Sequence, residues 1–533
     1  MSKLPSVMGN RFAQIPSVKM QRSKFDRSCG YKTTFQSGYL IPVLMDEVLP
    51  GDSFSLESTF LCRMSTPTFP IMDNMKLDFH VFYVPNRLLW TNWQKFCGEL
   101  TDPGDLGVTE YLVPVVTTPV GGHLEDTLWD YFGIPTGIDD MDPNALHSRA
   151  YNFIYNEYYR DQNLQDSVVV DTDDGPDTDT DYVLLRRNKR HDYFTSCLPW
   201  PQKRTTGVAL PLTGNAPITG IGARVNTSPY DVASQAVYET GGTGTTTYTA
   251  SSQTAGTSRD FHIEEDPNNA GFPGIYADLT SVTAATINDI REAFQLQRLY
   301  EKDARGGTRY TEILNAHFGV TSPDARLQRP EYLGGCTTDI NISPVAQTGA
   351  TETGKPQGNL AAFATGLNKK HVFNKSFVEH GVLLGLISVR ADLTYQQGLE
   401  RMWSRQTRVD FYWPTLAHLG EQSVLNKEIY AQGTAADDNV FGYQERYAEY
   451  RYKTSLITGA FRSNHSTTLD AWHLSQEFGA LPTLGDTFIQ ENPPLDRILA
   501  VSGDIEFRLD CFHNLKCVRP MPVYSVPGMI DHF

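Results

Sequence analysis

The chain has 533 residues, 40% hydrophobic and 11% aromatic, with 42 glycines, 31 prolines and a formal net charge of −17. No apolar run reaches the roughly 18 residues of a membrane span, and the N-terminal residues contain no hydrophobic signal-peptide core. A spanning helix and a secretory leader are therefore not expected, and the seven cysteines, scattered from Cys29 to Cys517, form no disulfide framework. They read as mostly buried thiols of a protein folded in a reducing cytoplasm.

Taken in chain order, residues 1–36 form a basic arm. Lys3, Arg11, Lys19, Arg22, Lys24, Arg27 and Lys32 stand against Asp26 alone, giving +6 and leaving −23 for residues 37–533. A basic arm on an acidic body points to a polyanion at one face, with a solubilising tail as the alternative. From Ser53 to Met64 the residues alternate, with Phe54, Leu56, Phe60, Cys62 and Met64 facing one way and Ser55, Glu57, Thr59 and Arg63 the other. Met75, Leu77, Phe79, Val81 and Tyr83 repeat that period, which predicts a strand with one well-buried face. Pro85 ends it, Asn86 is the expected N-cap, and Leu89, Trp90, Trp93 and Phe96 continue at helical spacing.

Two helical stretches follow. One carries Leu146, Ala150, Phe153, Ile154 and Glu157 and ends near Asp161. The other starts from a Thr286 cap with Asp289 three residues on, runs through Ile287, Ile290, Phe294 and Leu299, and stops at Gly306-Gly307. A short helix then carries Ile313 and Leu314 to Gly319. Gly381–Val389 reads as a fully buried strand, Arg408–Trp413 as a further strand, and Ile505–Cys517 as a long alternating one. Strong strands at both ends of the chain suit a jelly roll, where early and late strands pair across two sheets. Between the helices, Gly241–Ser258 has no charge and almost no apolar side chains, so it builds no core of its own and reads as a surface insertion.

Motifs of chemistry are weak. Gly349–Lys355 fits seven positions of a phosphate-binding loop, but Pro356 stands where the magnesium-binding hydroxyl belongs and no buried strand leads in. Asp171, Asp173, Asp174, Asp177, Asp179 and Asp181 suggest calcium; counted from Asp171, the glycine falls at position 5 and Tyr182 at position 12, so a solvated loop of unpaired carboxylates is expected. Cys511, His513 and Cys517 share one strand face, yet the outer pair stands roughly 20 Å apart along a strand, too far for one zinc ion. No catalytic residues, cofactor or metal are expected.

Several literal blocks carry an identification. They are Phe79–Trp90 with Trp93 and Phe96, Arg190–Phe194 followed by Pro199–Lys203, Leu327–Gly335, and Val389–Gly398. Further on come Asp410–Pro414, Asn426–Thr434, Phe441–Tyr447, Arg519–Tyr524 and Ile530–Phe533. Together they closely resemble the major capsid protein of gokushoviruses, small tailless Microviridae phages with circular single-stranded DNA. The resemblance fades only between about Thr213 and Ile275. It implies an all-β, eight-stranded viral jelly-roll barrel with long inserted loops and a few short helices. It also implies about 60 copies closing an icosahedral shell around the genome.

On that resemblance residues 37–205 and 325–533 are the core, and residues 206–324 a large insertion whose variable outward tip lies within 213–275. Lys3, Arg11, Lys19, Arg22, Lys24, Arg27 and Lys32 are expected to face the DNA from the shell interior. Gly241, Thr245, Tyr248, Ser252 and Ser258 are expected to contact the host. Implied partners are further copies of the chain, the packaged single-stranded DNA, a bacterial surface receptor, and the phage's minor capsid or pilot, scaffolding and small basic DNA-binding proteins. The implied location is the virion, assembled in the host cytoplasm. A glycan-binding β-sandwich adhesin and a monomeric enzyme lacking a recognisable motif are the alternatives.

Overall fold

The computed structural model describes residues 21–100, 102, 110–204, 208, 218–219, 221–225, 259–263, 276–277, 287–353 and 356–524. Contacts divide the chain into two compact units, Met1–Pro201 with Ala304–Phe533, and Gln202–Asp303. Residues 304–324, grouped with the insertion on sequence grounds, thus fall within the first unit.

The first unit is built on one antiparallel sheet of nine strands. They are β1 (Ser23–Asp26), β2 (Cys29–Phe35), β3 (Ile41–Val48), β4 (Ser53–Met64), β5 (Met75–Pro85), β6 (Glu331–Ala346), β7 (Leu360–Ser376), β8 (Gly381–Ala391) and β9 (Phe507–Arg519). Hydrogen bonding runs β1–β9–β4–β7–β6–β5–β8–β3, and β2 also pairs with β9. β1 and β2 share a single edge of β9, at residues 516–519 and 507–513 respectively, so the sheet has eight lateral positions. This is the jelly-roll arrangement, with its first strand broken at Arg27-Ser28.

β6 and β7 make the sheet curl. Residues 331–340 of β6 pair with β5, and residues 341–346 pair with β7. β7 in turn passes from β6 to β4 at Thr365. The two layers therefore face each other. Phe60 of β4 meets Phe79 of β5 at a ring separation of 4.8 Å, and His513 of β9 reaches the Val43 carbonyl of β3 at 3.2 Å. The main core fills this space, and the alternating residues of β4 and β9 point into it as their sequences require. β9 begins at Phe507, two residues after the expected start.

β5 and β8 differ from an ordinary one-faced strand. Phe82, Val84, Leu384 and Leu386 form a second core on the far side of that layer, beneath the helix Leu146–Ile154. β5 is therefore buried on both faces, where its alternation predicted one. β8 is buried throughout, as expected of its continuous apolar run. Gly385 is its close-approach point, because a Cβ there would stand 2.8 Å from the Leu44 Cβ and 2.9 Å from the Phe79 ring.

Helix ends refine the sequence reading. Pro85 itself is the residue preceding the turn Asn86–Leu89, and the Asn86 side chain makes no cap: it is buried. The helix from Leu146 passes into a π-turn at Tyr155–Tyr159 and stops before Asp161. Helices Ile287–Arg305 and Tyr310–Phe318 form where predicted, the latter closed by Gly319 at φ 67°. Thr286 lies outside the described residues. Arg408–Trp413 is not a strand. It starts as a 3-10 turn and carries Phe411, Tyr412 and Trp413 exposed, because Pro414 and the Thr407–Asp410 turn hold it off any sheet.

Within the second unit, Ile221–Val225 pairs antiparallel with Arg259–Ile263, and Ile218–Thr219 with Tyr276–Ala277. The paired segments nest in sequence, as in the stem of a ribbon.

His513 supplies a test of the core. Burial holds its imidazole neutral down to about 4, against an ordinary value of 6.5. The unfolded chain takes up the proton first as pH falls, so stability complete above 6.5 is lost progressively towards about 4. The loss is about 3 kcal/mol. Denaturant unfolding at neutral and acid pH should show this decline in the native protein and a shallower one in His513→Gln.

Candidate assembly surface and genome-facing residues

Burial decides what each polar cluster can do. The Asp-rich loop is not a set of unpaired, solvated carboxylates. Arg149 of the helix Leu146–Ile154 is fully buried and binds Asp177 through Nε at 2.8 Å and through Nη2. Its Nη1 donates to the carbonyls of Leu89 at 3.0 Å and Asp173 at 2.9 Å. Asp174 accepts from the Trp90 indole at 2.7 Å and from Asn92 at 2.9 Å. Sequence inspection missed this because Arg149 lies far along the chain from the acids it gathers. The arrangement is a structural clamp that ties the Asp171–Asp181 loop to the Trp90 corner.

Cys511, His513 and Cys517 point into the core, as their strand parity predicts. Ser58 Oγ and His513 Nδ1 are 2.9 Å apart, His513 Nε2 reaches the Val43 carbonyl, and Cys511 Sγ lies 3.2 Å from the Tyr31 carbonyl. Among the described residues no group of three or more His, Cys, Asp or Glu side chains could hold a metal ion. All seven cysteines are free thiols, five of them buried.

The expected DNA-facing residues separate into two groups. Lys3, Arg11 and Lys19 lie outside the described residues. Arg22, Lys24, Arg27 and Lys32 lie in or beside β1 and β2, so this part of the basic segment is integral to the sheet. Arg27 is committed to Asp46 at 2.6 Å, and Arg22 to the Gly51 carbonyl and Ser53 Oγ. Lys24 and Lys32 are exposed, the latter 3.6 Å from Asp510. Gly241, Thr245, Tyr248, Ser252 and Ser258 lie outside the described residues.

A surface that sequence reading missed lies at residues 402–413 and 450–452. Trp403 is 71% exposed, and Met402, Val409, Phe411, Tyr412, Trp413, Tyr450 and Tyr452 are exposed beside it. The rings are held in place rather than loose. Arg405 stacks on Tyr450 at 4.1 Å while binding Glu449 at 3.0 Å, and Arg408 lies over Trp413 at 4.6 Å. Asp410 accepts from the Thr407 backbone at 2.7 Å, and the Trp413 indole donates to the Arg408 carbonyl at 2.9 Å. Beneath them Arg401 meets Glu428 at 3.1 Å, and Tyr193 donates to the same carboxylate at 2.9 Å. Burial raises the Glu428 carboxyl pKa despite Arg401. Rigid aromatics interleaved with arginine are the composition of an interface centre, since little side-chain entropy remains to be lost on contact. The signal was present in the run Met402–Pro414, where Arg405 and Arg408 are flanked by Trp403 and by Phe411, Tyr412 and Trp413.

A jelly roll is an architecture that viral capsid subunits share with lectins and cupins. Comparison with known proteins decides between them. The family model of the capsid protein (F protein) matches residues 13–529. Capsid protein VP1 of Chlamydia phage 1 is 47% identical over 99% of both chains, and that of Bdellovibrio phage phiMH2K 49% over 98% of both. Capsid protein VP1 of Spiroplasma virus 4 is 36% identical over 99% of both. The chain therefore belongs to the capsid protein (F protein) family, and its resemblance to gokushovirus major capsid proteins holds from end to end.

The clamp can be tested by a double-mutant cycle. Arg149→Met leaves the Asp177 carboxylate buried without its counter-charge, with the Tyr182 hydroxyl still donating to it, and should cost about 3–5 kcal/mol of unfolding free energy. Arg149→Met with Asp177→Asn should recover part of that loss. A double-variant loss equal to the sum of the Arg149→Met and Asp177→Asn single losses would show that the two residues act independently.

Proposed function

We propose that the chain closes, in about 60 copies, an icosahedral shell around a circular single-stranded DNA genome. The observation that carries this reading is the aromatic surface at 402–413 and 450–452 on a capsid-family subunit. An exposed apolar patch of this kind is characteristic of a contact surface, and a second copy is the partner that self-assembly supplies. On this reading containment, not turnover, is the protein's work.

Residues 1–36 supply the basic segment directed to the genome, with Lys3, Arg11, Lys19, Lys24 and Lys32 in that role. Arg22 and Arg27 serve chiefly to fix β1 against Gly51 and Asp46. Residues 206–324 are the insertion, its tip carrying Gly241, Thr245, Tyr248, Ser252 and Ser258 outward to a bacterial surface receptor. Thr, Ser and Tyr offer hydrogen bonds to glycans without charge steering. Minor capsid or pilot, scaffolding and small basic DNA-binding proteins of the phage complete the particle in the host cytoplasm.

Electron microscopy and mass measurement of the purified protein test the reading. Closed, uniform particles of megadalton mass are expected; a small fixed oligomer under all assembly conditions would overturn it. Trp403→Ser with Tyr412→Ser should give folded subunits with unchanged unfolding free energy and particle yield reduced at least tenfold. Normal particle yield from that variant would place the contact between copies elsewhere.

A further inference from the structure

The two layers of the sheet are finished differently. The far side of β5, β8 and β3 is roofed by the second core. The outward side of β9, β4 and β7 carries Phe512 and Leu367, 50% and 71% exposed. The register fixes which side chains share this side. One row across the strands reads Lys32, Asp510, Leu61 and Leu367, and the next reads Gly30, Phe512, Thr59 and Lys369. Arg508 and Arg63 sit opposite each other one row beyond Lys32, and Lys516 lies towards the other end of β9.

Charge distinguishes this face. The outward positions of β1, β2, β9, β4 and β7 hold Lys24, Lys32, Arg63, Lys369, Arg508 and Lys516 against Asp26, Glu57 and Asp510. Six cations face three carboxylates on a chain whose net charge is −17. The pairs around them are solvent-exposed: Lys32 to Asp510 at 3.6 Å, Lys369 to Glu57 at 3.3 Å, and Arg508 to Asp504, just before β9, at 3.3 Å. Such pairs hold weakly and yield to a stronger anion. Phe512 stands opposite Gly30, which has no side chain to cover the ring on that flank. Rows along a strand are roughly 7 Å apart, close to the spacing of successive bases in an extended single strand.

We propose that this sheet face is a second contact for single-stranded DNA, with a base stacked on Phe512 and phosphates on Arg63, Arg508 and Lys369. The inference rests on the reading of the chain as a shell around such a genome. It adds a binding surface on the folded sheet that takes in Lys24 and Lys32 and extends beyond the N-terminal basic residues to β9, β4 and β7. An aromatic platform ringed by cations recognises a single strand without regard to sequence, since every base offers a face to stack.

Ultraviolet cross-linking of filled particles, followed by peptide mass analysis, tests this directly. A nucleotide adduct is expected on the β9 peptide containing Phe512. Adducts confined to residues 1–22 would overturn this inference while leaving the genome-enclosing reading intact; particles without DNA would sink both. With the full-length subunit and a labelled oligothymidylate, Phe512→Ala should weaken binding about tenfold. Arg63→Gln with Lys369→Gln should lower the slope of log affinity against log salt by about 1.4. Unchanged affinity and slope in both variants would overturn the proposal. So would lost particle formation with oligonucleotide binding retained, which would assign the face to another copy of the chain.

Discussion

The pairing of β9 with β4 is the constraint on which the rest of the structure depends. It joins residues 53–64 to residues 507–518 in register, and the Ser58–His513 contact spans 455 residues of sequence. Until that pairing forms, the β9 side of the core has no strand to line it. Everything between these two strands is arranged around a closure already fixed. Loop-closure entropy grows only slowly with length, so long insertions between sheet strands cost the fold little. The chain can therefore carry a separate compact unit at Gln202–Asp303 without weakening the sheet.

The second consequence is asymmetry. β6 and β7 bend through the curl, so one layer turns its far side towards the helix Leu146–Ile154 and the other has its outward side left bare by the described residues. The roofed layer spends polar groups on structure. Arg149 gathers backbone carbonyls and carboxylates into a buried clamp, and its guanidinium leaves nothing for solvent. The bare layer keeps its cations and Phe512 accessible. A shell subunit has to present different chemistry on different surfaces, and this sheet does so by covering one side only. The aromatic surface around Trp403 belongs to neither layer. It is built on loops supported by Glu428 and Glu449, where the sheet's geometry imposes no alternation.

Much of this was legible in the sequence, and the misses share a cause. Two-residue alternation identified β4, β5 and β9, and an unbroken apolar run identified β8, because those patterns record burial directly. The literal blocks identified the family. What escaped was anything decided by a partner distant in sequence. β5 showed one buried face because its second face is covered by a helix some 65 residues on. Asp173, Asp174 and Asp177 looked solvated because Arg149, Trp90 and Asn92, which bind them, belong to other elements. Arg408–Trp413 has strand-like composition, but Asp410 folds back on Thr407 and leaves the aromatics outside. Residues 23–26 and 29–35 of the basic segment proved to be sheet, since Phe25 and Tyr31 pack against the core while their lysine neighbours face out.

An electron-microscopic reconstruction of the assembled particle, at a resolution that shows side chains, tests the central claim most directly. The account predicts the Trp403 and Tyr412 loops buried between neighbouring copies. It also predicts the Phe512 face of the sheet turned to the interior. A particle with the Phe512 face on its outer surface, or with the Trp403 loops exposed to solvent on every copy, would contradict it.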